Sequence, residues 1–406
     1  MKKRSFITSA TILLLVTLFS CSEEPVGRTP TNHTPPGKVT HIDVTPLPGG
    51  AKITYQLPEN DDLLYVKAVY CVNGVEKTEA ASLYNKSLEV KGFGSTEEQT
   101  VRLYCVNRSN VYSEPVEVIF APDTPPITLI RESMAMQRSF GGVQLTWRNE
   151  HKAPVAIYLI AADSVGELKV ADIVYTSSTQ GKFNLRGFDP TERLFGAYVR
   201  DRWDNYSSTL QGWFSPFEEE QLDKKKFRRE VLGGDNTSIY GNEPNSWGFH
   251  FMYDDIVVTD KSYLFYMQSL ESKFPNYFTI DLGVTVKLNR YTLWQRLYEN
   301  EYLNANPKRW KLYGSATLNL DGDEFYWKEG FKQDWFLLAD CYAFKPSGEN
   351  SPVTQEDRDY ALKGHEFDFP LDAPPVKYVR FCIEETWGGT AQCAVNEVTF
   401  WGRKGF

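Results

Sequence analysis

The stretch YFTIDLGVTVKLNRYTLWQR, from Tyr277 to Arg296, carries the clearest strand pattern of the chain. Phe278, Ile280 and Leu282 alternate with smaller or polar residues, and Gly283 then ends the run. A second apolar series follows at Leu288, Tyr291, Leu293 and Trp294. Short alternating runs separated by glycine are typical of half-buried strands. The stretch therefore predicts two β-strands divided at Gly283.

Upstream of this stretch, one pattern of short strands occurs twice. GGAKITY, from Gly49, is echoed by GGVQLTW from Gly141, and LEVKGF, from Leu88, is echoed by FNLRGF from Phe183. The echoes lie about 92 to 95 residues apart, which is the length of one sandwich domain. The repeat predicts two tandem β-sandwiches, over residues 39–122 and 123–217.

Composition limits the partners of the chain. The 406 residues predict several domains, and 53 acidic against 44 basic residues argue against a nucleic-acid-binding surface. Aromatic residues make up 14 % of the chain, which favours sandwich cores, although sugar-binding surfaces also use exposed aromatic rings. The run EEEQLDKKKFRR, from Glu218, changes from acidic to basic, and we interpret residues 218–230 as a solvated, charged linker.

The N-terminus has the form of an export signal. Lys2, Lys3 and Arg4 precede an apolar run that ends in LFSC at Cys21. LFSC resembles the bacterial lipobox, and the following Ser-Glu-Glu resembles the export tag of surface lipoproteins in Bacteroidota. The resemblance implies a signal peptide over residues 1–21, a lipid on Cys21 and an outer-membrane protein that faces the exterior. Residues 22–38 are rich in proline and predict an extended stalk.

The C-terminal part resembles discoidin (coagulation-factor type C) domains, which are galactose-binding-like jelly rolls. The resemblance rests on IDLG and LWQR in the opening stretch, on WKLYGS from Trp310, and on VKYVRFCIEETWGG and NEVTFWG within Val376–Gly402. The two repeats resemble fibronectin type III modules. We therefore predict an all-β chain: two immunoglobulin/fibronectin-like sandwiches, then a discoidin-like jelly-roll sandwich over residues 231–406. This order resembles surface lipoproteins encoded with glycan-uptake systems in Bacteroidota.

The resemblance also implies a ligand site on loops at one end of the jelly roll. Sugars stack an apolar face on an aromatic ring while polar side chains hydrogen-bond their hydroxyl groups. The matching candidates are Arg296, Tyr298, Asn300, Tyr302, Asn304 and Trp387. The alternative roles are structural, with Arg296 as an ion-pair partner and Trp387 as a cover over the end of the sandwich.

Discoidin-like lectins often hold one structural calcium ion, so the resemblance also implies a Ca²⁺ site. Calcium takes six to eight oxygen ligands, many of them from backbone carbonyls. The matching residues are Asp254 or Asp255 together with Glu397, and Asp255 stands where the family has glycine.

Sequence motifs for catalysis are absent. The five histidines form no His-Glu-x-x-His helix, and no Gly-x-Ser-x-Gly elbow occurs. Cys71 and Cys105 are candidates for one disulfide or for two thiols, and Cys382 and Cys393 for a second bridge.

Together, these features predict a non-catalytic, lipid-anchored protein that captures an oligo- or polysaccharide beside an outer-membrane transporter or lipoprotein partner. The alternative is a surface scaffold or adhesin that binds a protein.

Overall fold

The computed structural model describes residues 32–269 and 273–403. These residues form three consecutive β-sandwich units with few and short helices. The predicted fold class, all-β with two fibronectin-like sandwiches before a discoidin-like one, is confirmed. The predicted signal peptide and Cys21 lie outside the described residues. Over the described ranges, no helix combines the length and the apolarity that a membrane span requires.

The first unit is a two-layer sandwich. Its strands are β1 (Thr40–Leu47), β2 (Gly50–Gln56), β3 (Leu63–Val72), β4 (Val75–Ser82), β5 (Ser87–Lys91), β6 (Gln99–Asn107) and β7 (Val116–Phe120). They form the antiparallel sheets β1-β2-β5 and β4-β3-β6-β7. The end of the predicted stalk, 32–38, lies against this unit, because Asn107 Nδ2 donates to the carbonyls of Asn32 (3.1 Å) and Thr34 (3.2 Å).

The second unit repeats this topology. It contains α1 (Pro126–Ser133), β8 (Ala135–Ser139), β9 (Gly142–Arg148), β10 (Val155–Ala162), β11 (Leu168–Thr176), β12 (Gln180–Leu185), β13 (Arg193–Asp201) and β14 (Leu210–Phe214). The sheets are β12-β9-β8 and β11-β10-β13-β14, in the same arrangement as in the first unit. The repeat seen in the sequence is therefore a repeat of strand pairing.

The third unit has one large sheet system. Its strands are β15 (Glu220–Gln221), β16 (Arg228–Glu230), β17 (Tyr266–Met267), β18 (Asn276–Trp294), β19 (Pro307–Ser315), β20 (Phe336–Tyr342), β21 (His365–Asp368), β22 (Val376–Thr386), β23 (Ala394–Val395) and β24 (Glu397–Arg403). The helices are α2 (Pro244–Trp247), α3 (Phe331–Asp334) and α4 (Gln355–Lys363). The order in the large sheet is β15-β24-β18-β22-β19-β20, and β16 and β21 also pair with β18. β17 and β23 form a separate two-stranded sheet.

The opening stretch forms one strand rather than two. β18 runs continuously through Gly283, where φ is +67° and the register with β22 shifts between Asp281 and Val286. Glycine adopts such a positive φ without steric cost, so the chain bends here and continues. The predicted break is thus a bulge, and it lets one strand pair with four partners.

The segment 218–230 is not a solvated linker, so that prediction is wrong. β15 pairs with β24, and β16 pairs with β18. Leu222 and Phe227 are 2 % and 1 % exposed and belong to the core of the third unit. These are the only two apolar residues among the charged and polar residues of EEEQLDKKKFRR, so the composition of the run conceals them.

The three units contact one another through specific polar bonds. At the first joint, Asn205 Nδ2 donates to the Gly92 carbonyl (2.8 Å) and Asn73 Nδ2 to the Trp203 carbonyl (2.9 Å). At the second joint, Arg186 pairs with Glu366 (3.0 Å) and with Asp368.

The described cysteines are free thiols. Cys71 is exposed and Cys105 is buried, so the two side chains lie on opposite faces of their sheet. Cys382 and Cys393 are buried in different core clusters.

Candidate functional site

Three of the predicted ligand residues line one cavity in the third unit. The cavity has a volume of about 280 Å³, and Arg296, Tyr298 and Asn300 form one side of it. The opposite side comes from the segment before β17, and its lining residues are Val258, Asp260, Lys261, Ser262, Tyr263 and Phe265. Ligand pockets measure roughly 300–1,000 Å³, so this cavity lies at the lower limit of that range.

The loop after β18 is held in an unusual backbone conformation. Tyr298, Glu299, Tyr302 and Asn304 all have positive φ, between +53° and +59°. Such conformations cost about 1–3 kcal/mol each and persist only when the surroundings enforce them. The surrounding structure therefore fixes the backbone conformation of this loop.

Two buried amide side chains enforce this conformation. Asn306, 1 % exposed, accepts from Arg296 N (2.8 Å) and donates to the carbonyls of Arg296 (3.0 Å) and Asn300 (2.7 Å). Gln295, which is fully buried, accepts from Tyr302 N (2.8 Å). Sequence reasoning missed both residues, although buried Asn and Gln beside a loop are typical braces of main-chain groups.

Arg296 presents a guanidinium group to the cavity. The group lies 5.2 Å from the centroid of the Phe265 ring and has no ion-pair or hydrogen-bond partner among the described residues. Burial lowers the pKa of Arg296 from its ordinary value. The alternative role as a structural ion-pair partner is therefore wrong, and five donor N–H bonds remain for a ligand.

Tyr302 and Trp387 do not line the cavity. Tyr302 is 3 % exposed, and its hydroxyl donates to the Phe344 carbonyl (2.9 Å). The Trp387 ring packs edge-on against Tyr302 with centroids 5.2 Å apart. Tyr302 is buried behind the loop, so its predicted role as a direct ligand contact does not fit the structure. Trp387 is partly exposed outside this cavity, and its predicted ligand contact stays a prediction. The structural alternative for Trp387 fits this packing.

Asn304 contacts a residue of the cavity but does not line the cavity. It is exposed, its Nδ2 donates to Asn300 Oδ1 (3.3 Å), and its carbonyl accepts from Gly388 N (2.7 Å). It therefore orients Asn300 without lining the cavity itself.

An aromatic cluster beside the cavity was not predicted. Trp247 contacts Tyr240 (5.4 Å between centroids), Tyr263 (4.8 Å) and Phe265 (4.8 Å). Tyr263 and Tyr240 remain 54 % and 39 % exposed. Exposed rings fixed by a buried tryptophan offer stacking surfaces. The sequence signal was the Tyr-Leu-Phe run at 263–265, which local alternation alone cannot assign to a surface.

Two of the predicted calcium ligands, Asp255 and Glu397, contact a lysine. Lys224 Nζ lies 2.9 Å from Asp255 Oδ1 and 3.0 Å from Glu397 Oε1. Within the described ranges, no group of three or more His, Cys, Asp or Glu side chains is arranged to hold a metal ion. Because the ammonium lies between the carboxylates, the donor set of Asp254, Asp255 and Glu397 does not fit Ca²⁺.

Burial also acts on the acidic side chains of this cluster. Burial raises the pKa of Glu397 to about 8, although Lys224 opposes the shift, and burial also raises the pKa of Asp254. Asp255 has φ of +69°, which explains why glycine suits this position in similar domains.

Family models match successive parts of the chain. Residues 36–122 match DUF4959, residues 123–225 match DUF5126 and residues 253–402 match DUF5000, each described as a domain of unknown function. None of the three covers half of the chain. Among curated proteins, none matches.

Several solved structures are similar. A SusE-like protein is 29 % identical, with 68 % of this chain and 99 % of that chain covered and a TM-score of 0.42. A putative chitobiase fragment from Bacteroides thetaiotaomicron is 20 % identical, with 46 % and 95 % covered and a TM-score of 0.32. The GH31 CBM32-2 structure bound to GalNAc is 15 % identical, with 44 % and 97 % covered and a TM-score of 0.28. With TM-scores below 0.5, none of them establishes a function for this chain.

Proposed function

We propose that the protein is a non-catalytic carbohydrate-binding protein of the cell surface, with its ligand site in the cavity of Arg296, Tyr298 and Asn300. The observation that carries this proposal is the unpaired, half-buried Arg296 guanidinium in a cavity beside exposed aromatic rings. Sugars need this combination, because hydroxyl groups accept from charged donors while the apolar ring face stacks on an aromatic surface.

The remaining polar residues of the cavity complete a hydrogen-bonding set. Lys261 lies 6.0 Å over the Tyr298 ring and supplies a second cationic donor. Asp260 and Glu299 are exposed carboxylates at the same cavity and supply acceptors. A glycosidase acid would be a carboxyl group in a dry site with a raised pKa. The exposure of these two carboxylates supports binding rather than hydrolysis.

In this proposal Cys21 carries the lipid that holds the protein on the outer membrane, facing the exterior. Several acyl chains on one terminus give stable anchoring. The two fibronectin-like units then separate the sugar site from the membrane, and an outer-membrane transporter or second lipoprotein receives the captured glycan.

Substituting Arg296 tests the site. We expect the chain from Ser22 onward to be retarded in affinity gels by one class of polysaccharide, and Arg296→Gln to weaken that binding by about 10- to 100-fold. This range follows from about 1.5–3 kcal/mol for a hydrogen bond to a charged group. The measurement is gel retardation followed by titration calorimetry with the oligosaccharide.

Arg102→Gln is the matched control, because it removes the same charge from an exposed pair with Glu117 in the first unit. It should bind like the wild type. If a broad glycan panel gives no binding, the proposal fails and the scaffold or adhesin function takes its place. If Arg296→Gln binds as well as Arg102→Gln, the glycan site lies elsewhere.

A further inference from the structure

Lys224 is a buried lysine at the start of the third unit. It opens a single 3-10 turn, Lys224–Lys226, and is 5 % exposed, whereas its neighbour Lys225 is exposed. A buried ammonium group is costly unless it is paired. Its partners are the carboxylates of Asp255 (2.9 Å) and Glu397 (3.0 Å), which come from two distant parts of the chain. The lysine therefore joins three segments at one point.

The contacts around Lys224 also hold one wall of the ligand cavity. Glu397 Oε2 accepts from Ile256 N (3.2 Å). The preceding residue, Asn396, accepts from Val258 N (3.0 Å) and donates to the Val258 carbonyl (2.8 Å). Val258 itself lines the cavity, as Asp260 does two residues later. A continuous series of bonds thus runs from the ammonium to the cavity wall.

We infer that Lys224 is a positioning residue for the cavity. Its ammonium group fixes the loop in the way that a bound divalent cation would. The cation is covalently part of the protein, so it cannot be removed by a chelator. Folding of the third unit and ligand capture then need no calcium. The part that concerns ligand capture rests on the proposed function, whereas the part that concerns the loop does not.

The comparison of Lys224→Met with Lys225→Met tests this inference. Both variants of the mature chain lose one positive charge from the same turn, but only the first leaves the buried Glu397 carboxyl group without its cationic partner. We expect wild type and Lys225→Met to melt at equal temperatures in excess chelator and in millimolar calcium. We expect Lys224→Met to melt about 6–20 °C lower, as breaking a buried pair implies. A wild type that loses stability in chelator would overturn the inference. A Lys224→Met variant that melts at the same temperature as Lys225→Met would also overturn it.

Hydrogen exchange separates a positioning role from a general loss of stability. In folded Lys224→Met, the amides of Ile256 and Val258 should exchange at least tenfold faster than in the wild type, while amides of β22 keep their rates. A uniform increase over the whole third unit would contradict a positioning role. If Lys224→Met does not fold, Glu397→Gln replaces it, because this variant keeps the side-chain shape and removes the charge that faces the ammonium. The same local increase is then expected.

Ligand affinity gives the last readout. Lys224→Met should bind the retarding polysaccharide at least tenfold more weakly than Lys225→Met, and wild-type affinity should be equal with chelator and with calcium. Equal affinity of the two variants would overturn the link to the cavity. If the wild type binds no glycan, the proposed function fails, but the melting and exchange experiments still decide whether Lys224 holds the loop.

Discussion

His365 is a buried histidine behind the ligand loop. It is 3 % exposed, and its Nε2 lies 3.1 Å from Gln295 Nε2. Burial lowers the pKa of His365 to about 4, so the imidazole is neutral at physiological pH and accepts a hydrogen bond from the amide. Gln295 in turn accepts from Tyr302 N (2.8 Å). A neutral histidine therefore orients the amide that holds the loop.

This arrangement predicts a pH-dependent loss of stability. In the unfolded chain the histidine takes up a proton near pH 6.5, whereas the folded protein resists protonation down to about pH 4. The stabilisation is therefore complete above pH 6.5 and is lost as the pH falls toward 4, by about 3 kcal/mol in all. Denaturant unfolding of wild type and His365→Gln at pH 7 and pH 4.5 measures it. The difference between their free energies of unfolding should shrink by about 2–3 kcal/mol. Parallel pH profiles of the two proteins would contradict a neutral, buried His365.

At the scale of elements, the sequence predicted strands well and their limits poorly. Alternation identified the strand pattern of Tyr277–Arg296, because inward and outward residues of a strand have different polarity. Gly283 was misread, since a glycine that ends a strand and one that bends it have the same local signature. The run 218–230 was misread because its charge hid Leu222 and Phe227.

The site residues were predicted only in part for a related reason. Arg296, Tyr298 and Asn300 line the cavity, whereas the aromatic residues Tyr302 and Trp387 do not line it and pack against each other. Which face a loop residue presents depends on its φ, and Tyr298 and Tyr302 both have positive values that no tyrosine favours by itself. Lys224 was counted with exposed lysines because its partners are distant in sequence.

Phe227 tests whether segment 218–230 belongs to the third unit. Its ring packs against Tyr253 (5.8 Å between centroids) and Phe400 (6.1 Å). We expect Phe227→Ala to reduce the free energy of unfolding of this unit by about 3–5 kcal/mol, because it leaves a cavity in the core. Lys226→Ala, one residue away and exposed, should change it by less than about 0.5 kcal/mol. If thermal or denaturant unfolding shows that both variants change the free energy of unfolding equally, segment 218–230 is a linker as the sequence predicted.

At the scale of the whole molecule, the units are joined by fixed contacts rather than by flexible linkers. Arg290 pairs with Glu219 (2.9 Å) and Glu366 (2.6 Å), and Arg186 shares Glu366 and reaches Asp368 from the second unit. Ion pairs that share partners and are partly buried keep their geometry better than isolated surface pairs. The ligand cavity therefore has a defined orientation relative to the second unit.

The first joint depends on a close approach of a ring to a glycine. A Cβ at Gly92 would lie 2.9 Å from three atoms of the Trp203 ring, and Gly92 has φ of +105°. Gly187 is its counterpart in the second unit, with φ of +97° and nothing within 4 Å of a Cβ. Alanine at either position meets the same backbone strain of about 1–2 kcal/mol, but only at position 92 does it displace the tryptophan.

We therefore expect Gly92→Ala to loosen the angle between the first two units, while Gly187→Ala leaves it unchanged. Small-angle X-ray scattering of the mature chain measures this as a larger spread of distances for Gly92→Ala. Limited proteolysis should then cut first near residues 121–126, which connect the two units. Because both variants carry the same strain, a difference between them reports the Trp203 contact alone. Identical scattering curves would mean that the cross-unit bonds of Asn73 and Asn205 hold the joint without the ring.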